Sequence, residues 1–515
     1  MAAQAPDPPG FTIVANRPLI VLSVMTATVM NALDTTIANV ALPHIQGSVS
    51  ASADQITWVL TSYIVASAIM TPMSGWLAGR FGPRLVLMFS IAGFTAASAL
   101  CGLAGNLVEI VCFRLLQGLC GAALVPLSQS ILLNIYPPRQ HGQAMAVWGM
   151  GAMLGPIMGP ALGGWLTQNY SWRWVFYINL PFGILAFLGF FLFLPRIRPT
   201  GQRRLDFGGF IALSLALGAF QLMLDRGQQK DWFGSPEIWV EAGLALLGLW
   251  WVVVQTITAD EPFVNREVLR DKNFLICTTL SFFITVLMYG TLSLLPPMLE
   301  NLMGYPVVTT GLVTAPRGFG TLLSMFVVGR LIGRIDTRAI MLTGLTIMAV
   351  STLALTHINL QMGTGLIVMS GLGQGAGVGL IFTPVSTVVF STLAPRLRTD
   401  GAALYTLFRN LGGSIGISIL EAILIQNSQK MHADLISHVR PDNPNFRLFA
   451  PPGWSLGSPF GRALIDAQVS RQASMVAYVD DFKLMLVIAV LSMPMVLLLR
   501  PPRSAPVEGQ IHAIE

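Results

Sequence analysis

Leu33-Asp34-Thr35-Thr36-Ile37-Ala38-Asn39-Val40-Ala41-Leu42-Pro43 closes a run that begins at Pro18 and whose other polar residues are Ser23, Thr26, Thr28 and Asn31. A helix of ~20 residues rising 1.5 Å each spans the ~30 Å of a bilayer's hydrocarbon. The run is long enough to cross, and Asp34 lies inside it. A carboxylate at that depth costs ~3 kcal/mol on insertion scales. It must therefore face a polar cavity, carry a proton or meet a cation. Asp34 is read as a residue of a transport path, against the plainer alternative of an acid at the outer end of a helix.

Composition supports a polytopic membrane protein. Of 515 residues, 53% are hydrophobic and only 10% charged, and the mean hydropathy is +0.66. A soluble chain would carry ~25% charged residues. The net charge of +6 does not indicate nucleic acid, because the basic residues sit in short loops between apolar runs. Cys101, Cys112, Cys120 and Cys277 all fall in apolar runs, where they read as packing residues rather than a disulfide framework. No cleavable signal is expected at the N-terminus, since the first apolar run is too long for one and carries an acid. His44, His141, His357, His432, His438 and His512 show no metal-ligand spacing.

The expected fold is all-α, with fourteen membrane helices arranged as two six-helix bundles and an inserted pair. The expected divisions are a tail 1–17, a first bundle 18–200, an inserted pair 201–265, a second bundle 266–500 and a tail 501–515. A polar segment 426–479, rich in Pro, Gly and Ser, reads as a long extracytoplasmic loop. Lys and Arg mark cytoplasmic loops. One side holds Arg17, Arg80, Arg84, Arg139, Arg196, Arg198, Arg203, Arg204, Arg266, Arg270, Lys272, Arg330, Arg334, Arg338, Arg396, Arg398, Arg500 and Arg503. The short loops of the other hold only Arg173, Arg226 and Lys230. Both termini are thereby expected in the cytoplasm.

The halves repeat. Gly75-Trp76-Leu77-Ala78-Gly79-Arg80-Phe81-Gly82-Pro83-Arg84 follows the second span. Gly329-Arg330-Leu331-Ile332-Gly333-Arg334-Ile335-Asp336-Thr337-Arg338 follows the tenth. Gly79, Arg80 and Arg84 align with Gly333, Arg334 and Arg338 at one constant offset, and Gln117-Gly118 is echoed by Gln374-Gly375. Transporters built from parallel halves bind substrate between them.

Charges inside the spans narrow the chemistry. Arg114 in span four lies at a depth similar to Asp34, so the two can pair. The corresponding position of the second half is Gly371, so folding the repeat does not itself require an Arg. Asn31, Gln117, Arg317 and Arg409 are candidate cavity residues. For the last two, anion binding, pairing with Asp34 and the capping of kinked helix carbonyls are all open. Span five carries Gly151, Gly155-Pro156, Gly159-Pro160 and Gly163-Gly164. Small residues every four positions make a smooth face, and each proline removes a backbone donor and bends the helix. That combination suits a rocking contact between bundles. The loop residues Gly75, Arg80, Gly82 and Arg84 are expected to latch one conformation. No catalytic constellation is present, so no enzyme activity is expected. No Gly-x4-Gly-Lys-Ser/Thr loop is present either, which leaves an ion gradient as the driving force and no cofactor.

These motifs resemble the major facilitator superfamily. The stretch Leu33 to Pro43 resembles the first-helix signature of its fourteen-span drug:proton antiporters. Gln221-Leu222-Met223-Leu224-Asp225-Arg226-Gly227 with Asp231-Trp232-Phe233 is similar to the loop between the inserted spans of EmrB-type multidrug exporters. Leu127-Ser128-Gln129-Ser130, Tyr136-Pro137-Pro138 and Leu411-Gly412-Gly413-Ser414-Ile415-Gly416 resemble the same branch. The resemblance implies a proton antiporter of hydrophobic or amphipathic toxicants in a bacterial inner membrane. It also implies a periplasmic membrane-fusion adaptor and an outer-membrane channel as partners, and identifies the span-five glycines and prolines with the antiporter motif. The family usually has an acid where this chain has Gly79. A specific-metabolite, siderophore or fatty-acid exporter, or a sensor on the same fold, is the alternative.

Overall fold

The computed structural model describes residues 14, 16–137, 140–195, 205–440, 442 and 455–499. Arg139, Arg196, Arg198, Arg203, Arg204, Arg500 and Arg503 lie outside the described residues. Among the described residues the chain is built of helices. Twelve of them are long and apolar enough to cross a membrane.

The first bundle holds α1 (Arg17–Val49), α2 (Ala53–Ile56), α3 (Trp58–Met70), α4 (Met73–Phe81), α5 (Pro83–Leu103), α6 (Leu107–Gly121), α7 (Leu124–Ile135), α8 (His141–Asn169), α9 (Trp174–Tyr177) and α10 (Asn179–Phe193). The inserted pair is α11 (Phe207–Gly227) and α12 (Pro236–Thr258). The second bundle holds α13 (Arg266–Arg270), α14 (Lys272–Pro297), α15 (Val307–Thr314), α16 (Pro316–Leu331), α17 (Thr337–Leu355), α18 (Thr364–Val388), α19 (Arg398–Ser437) and α20 (Pro459–Leu497). The second expected span is the broken pair α3–α4, interrupted at Thr71-Pro72. The last corresponds to the second half of α20.

Local chemistry sets the ends of these helices. Asn106 accepts from the Glu109 amide at 2.9 Å, Asp206 from Gly209 at 2.9 Å and Asp271 from Phe274 at 2.8 Å. Each satisfies a backbone donor that the first helical turn leaves free. At the end of α4, Gly82 has φ 86°, a left-handed conformation that only glycine adopts cheaply.

The segment 426–479 departs from the expected loop. Helix α19 runs on to Ser437 and α20 already begins at Pro459. The two extensions pack side by side, with Ser428 and Ser474 Oγ 3.1 Å apart and His432 Nε2 2.9 Å from Asp466 Oδ1. Polar residues lowered the hydropathy of this segment without removing its helical propensity.

The repeat also needs adjusting. The left-handed glycines are Gly82 and Gly333, at φ 86° and 89°, so the pairing of Gly79 with Gly333 matches residue type but not backbone. The longer second loop, closed by a bridge between Ile332 and Ile335, absorbs the difference. Beyond it the register returns. Arg84 Nη2 donates to the Phe191 carbonyl at 2.6 Å, and Arg338 Nη2 donates to the Leu499 carbonyl. Each arginine thus ties its helix to the end of the last helix of its own bundle.

The bundles meet near the face that carries these arginines, called here the basic face. Ser130 Oγ and Thr399 Oγ1 are 2.9 Å apart, and Arg398 Nη1 donates to the Leu133 carbonyl at 3.4 Å. A Cβ at Gly75 would overlap the Asp400 carboxylate, and one at Gly142 would overlap Ile332. Deeper in, Trp148 and Phe382 stack with ring centroids 5.9 Å apart and planes 9° from parallel. The inserted α11 lies along the seam. Its Gln221 Nε2 donates to Ser414 Oγ at 3.2 Å and its Gly218 rests on Ile69 of α3. Helix α12 turns Trp239, Leu246, Trp250 and Ile257 outward, as a lipid-facing helix would.

Candidate functional site

Helix α1 carries Asp34, and the position of α1 is set by α8. A Cβ at Gly155 would overlap the Ala32 carbonyl, one at Gly159 the Thr36 hydroxyl, and one at Gly163 would stand 2.9 Å from Ile37 Cγ1. Thr36 Oγ1 donates to the Gly155 carbonyl at 3.0 Å. The glycine face of span five therefore packs inside its own bundle, not across the interface where a rocking contact was expected. Other positions of α8 meet the second bundle: Gly149 approaches Phe382, and Ile157 approaches Gly318. Pro156 and Pro160 fall within the helix beside this glycine seam, so backbone approach rather than bundle sliding explains the small residues.

Held in this way, the Asp34 carboxyl sits at the centre of a closed polar network. Arg114 Nη1 lies 2.7 Å from Oδ2. Gln117 Nε2 donates to Oδ1 at 2.8 Å and Asn179 Nδ2 donates to the same oxygen at 2.7 Å. Arg114 also reaches the Gln117 amide oxygen at 2.9 Å and the Val59 carbonyl at 3.1 Å. Its guanidinium lies over the Tyr63 ring, 4.3 Å from the centroid. Asn179 Nδ2 reaches Ser98 Oγ at 3.0 Å, and Ser98 in turn donates to the Phe176 carbonyl at 2.8 Å.

Asp34 is 0% exposed and Arg114 1% exposed. In this conformation the carboxyl is dry. Exchange of a proton with either face requires the surrounding helices to part. Burying such a pair is expensive unless geometry and hydrogen bonds compensate. Here one guanidinium and two amides do so, and charge-assisted bonds of this kind are the strong ones.

The other candidates divide. Gln117 is 0% exposed and belongs to the Asp34 network, not to an open wall. Asn31 is buried and donates to Tyr63 Oη at 3.1 Å. Arg317 donates to the Met288 carbonyl, in the interior of α14, at 2.8 Å. Arg409 is half-buried and lies over both Trp148 and Phe382, 5.8 and 5.7 Å from their centroids. Gly151 faces Met25, and Arg80 is exposed. At the basic face it is Asp400 that stands against Gly75, an acid from the second bundle beside the loop that lacks its usual acid at Gly79.

Sequence reasoning missed Asn179, Ser98 and Tyr63. A single Asn in the apolar run Trp174 to Phe193 was a visible signal, but nothing in one sequence aligns span six with span one. It also missed Asp481, 0% exposed on α20 with neither carboxyl oxygen hydrogen-bonded. Among the described residues the four cysteines are free, and no cluster of His, Cys, Asp and Glu could hold a metal ion.

The sequence profile described as Major Facilitator Superfamily matches residues 24–417. The chain is 36% identical over 435 residues to the multidrug export protein EmrB of Escherichia coli strain K12, covering 83% of this chain and 84% of that one. It is 33% identical over 489 residues to the fatty acid resistance protein FarB of Neisseria gonorrhoeae, covering 94% and 96%. Among solved structures, the proton:xylose symporter XylE superposes with a TM-score of 0.59 at 14% identity, covering 94% of this chain and 98% of that one. That likeness concerns the fold.

Proposed function

The chain belongs to the major facilitator superfamily, and from that premise we propose a proton-coupled exporter of hydrophobic or amphipathic toxicants. It is a multi-pass membrane protein of a transporter family, similar over most of its length to multidrug exporters. In the proposed cycle it sits in a bacterial inner membrane with both termini in the cytoplasm, and the basic face is the cytoplasmic one. The conformation described above, with the bundles joined at that face, is then the state closed to the cytoplasm.

The observation that carries the coupling step is the Asp34 network. As a carboxylate, Asp34 holds Arg114, Gln117 and Asn179 together. Adding a proton to it removes the charge that anchors Arg114 and converts an acceptor oxygen into a donor. The network then has to rearrange, and α1 with it. Because α1 is locked to α8 through the glycine seam, and α8 touches Phe382 and Gly318 of the second bundle, a shift of α1 reaches the interface. Proton binding on one side and substrate binding on the other thus favour different arrangements of the same helices.

The test is purified protein in liposomes with an imposed pH gradient. Asp34→Asn is expected to abolish gradient-driven export of an amphipathic dye while the protein stays folded in the membrane. Undiminished export by that variant rejects the coupling role. The absence of any substrate-dependent proton flux in unaltered protein, across cationic, anionic and neutral amphiphiles, favours a sensor on the same fold.

The tripartite arrangement is proposed on the likeness to EmrB-type exporters. The paired extensions of α19 and α20 are the proposed contact for a periplasmic adaptor, which passes substrate to an outer-membrane channel. Capture of an adaptor by a variant lacking residues 440–470 removes that assignment.

A further inference from the structure

We propose that Asp481 is a proton-binding site in the second bundle, separate from Asp34 and set toward the end of its span remote from the basic face. Leu499, just past the end of α20, accepts from Arg338 at the basic face. Asp481 stands eighteen residues before Leu499, ~27 Å away at 1.5 Å per residue. That approaches the ~30 Å thickness of the hydrocarbon. The site therefore lies where α19 and α20 leave the membrane to form their paired extensions.

Contacts from two sides fix its surroundings. Ser428 of α19 and Ser474 of α20 meet across the seam of these helices, with their Oγ atoms 3.1 Å apart. Seven residues further into the membrane along each helix come Glu421 and Asp481, two turns on and on the same helix faces. On the other side, a Cβ at Gly290 of α14 would overlap Leu420 and lie 3.6 Å from Met485 Cε. Further out, Arg471 Nε donates to the Leu302 carbonyl at 3.0 Å. Helices α14 and α20 are therefore antiparallel, and Asp481, one turn from Met485 toward Arg471, comes level with Ser293. Ser293 Oγ in turn donates to Glu421 Oε1 at 2.7 Å. Two acids share one level, and the serine serves Glu421.

Asp481 is left over. It is 0% exposed, and neither of its oxygens has a hydrogen-bond partner among the described residues. The neighbouring elements offer it no cation. On its own helix, Lys483 Nζ is 2.9 Å from Asp480, and Tyr478 is a buried phenol. On α19 the charge at this level is Glu421, another acid. Helix α14 carries no charged residue between Lys272 at its start and Glu300 beyond its end, and α17 carries only Arg338, at the basic face. Burying an ionised carboxylate without a partner is costly. A bound proton removes that cost and turns one oxygen into a donor. Acceptors stand at the same level. Pro296 and Pro297 lie within α14, and without N–H groups they leave the carbonyls of Leu292 and Ser293 lacking their helical donors.

The test is infrared spectroscopy of full-length protein in nanodiscs, which separates the C=O stretch of a protonated carboxyl from the carboxylate bands. At neutral pH and without substrate, unaltered protein should show a protonated-carboxyl band. Asp481→Asn should lose it, whereas Asp34→Asn and Glu421→Gln should keep it. Isotopic labelling of aspartate carboxyls in unaltered protein should shift the same band, which assigns it to an aspartate without any substitution. An unchanged band in Asp481→Asn overturns the proposal, and so does a band that the aspartate label leaves in place. A band that appears only when sodium is replaced by choline also overturns it, because the site then holds a metal ion. Adding an amphipathic dye should leave the band in place; its disappearance would make this proton part of the exchange at Asp34 and not a separate site. None of these readouts requires export, so the assignment stands or falls apart from the coupling role proposed for Asp34.

Discussion

The two bundles treat buried charge in opposite ways. In the first, Asp34 and Arg114 are buried together, and the carboxylate meets a guanidinium and two amides. In the second, Arg409 has aromatic faces but no counter-charge, and Asp481 is buried with neither oxygen hydrogen-bonded. The repeat that builds both halves does not impose this, because the counterpart of Arg114 is Gly371. In the first bundle the buried charges satisfy one another, whereas Arg409 in the second is only half-buried and rests on ring faces.

The largest effect is expected where the first bundle is broken. Arg114→Met leaves the Asp34 carboxylate buried without its cation, at a cost of about 3–5 kcal/mol. Adding Asp34→Asn to it should recover much of that loss, as a double-mutant cycle of thermal or chemical unfolding in detergent would report. Additive losses would mean that the pair is not coupled.

A smaller loss is expected for Asn179→Leu. It removes one donor to a charged oxygen and the donor to Ser98 Oγ, which keeps its own bond to the Phe176 carbonyl, worth about 1–3 kcal/mol. The same unfolding measurement reads it, and export should fall because α1 is less firmly held. No change in stability would show that the Asn179 contact contributes little.

The smallest is expected for Asp481→Asn. An ionised carboxylate without partners is costly in such surroundings, so a neutral amide of the same shape should leave stability within about 1 kcal/mol or raise it. Destabilisation as large as that of Arg114→Met would mean that Asp481 has a charged partner, and the contrast between the bundles would fall.

Much of this was legible in the sequence. The all-helical transporter fold was legible in hydropathy and the Gly-Arg repeat, and counting residues along spans one and four put Asp34 and Arg114 at matching depth, where they pair. The network around them was not legible. Asn179 stands in an apolar run like any lone Asn, and only tertiary packing brings the start of α10 to α1. The glycines of span five announced a close contact but not its partner, since a smooth face serves equally within a bundle or between two. Arg317 and Arg409 looked alike because each is one Arg in an apolar span. Their difference lies in whether a carbonyl happens to be within reach. The segment 426–479 was misjudged because polarity argues against a span but not against a helix.

The most direct test of the central claim is proton release on substrate binding. Purified protein in weakly buffered nanodiscs is mixed with substrate while pH is followed. If Asp34 trades its proton for cargo, unaltered protein releases protons and Asp34→Asn releases none while still binding. Equal release from both proteins would contradict the account.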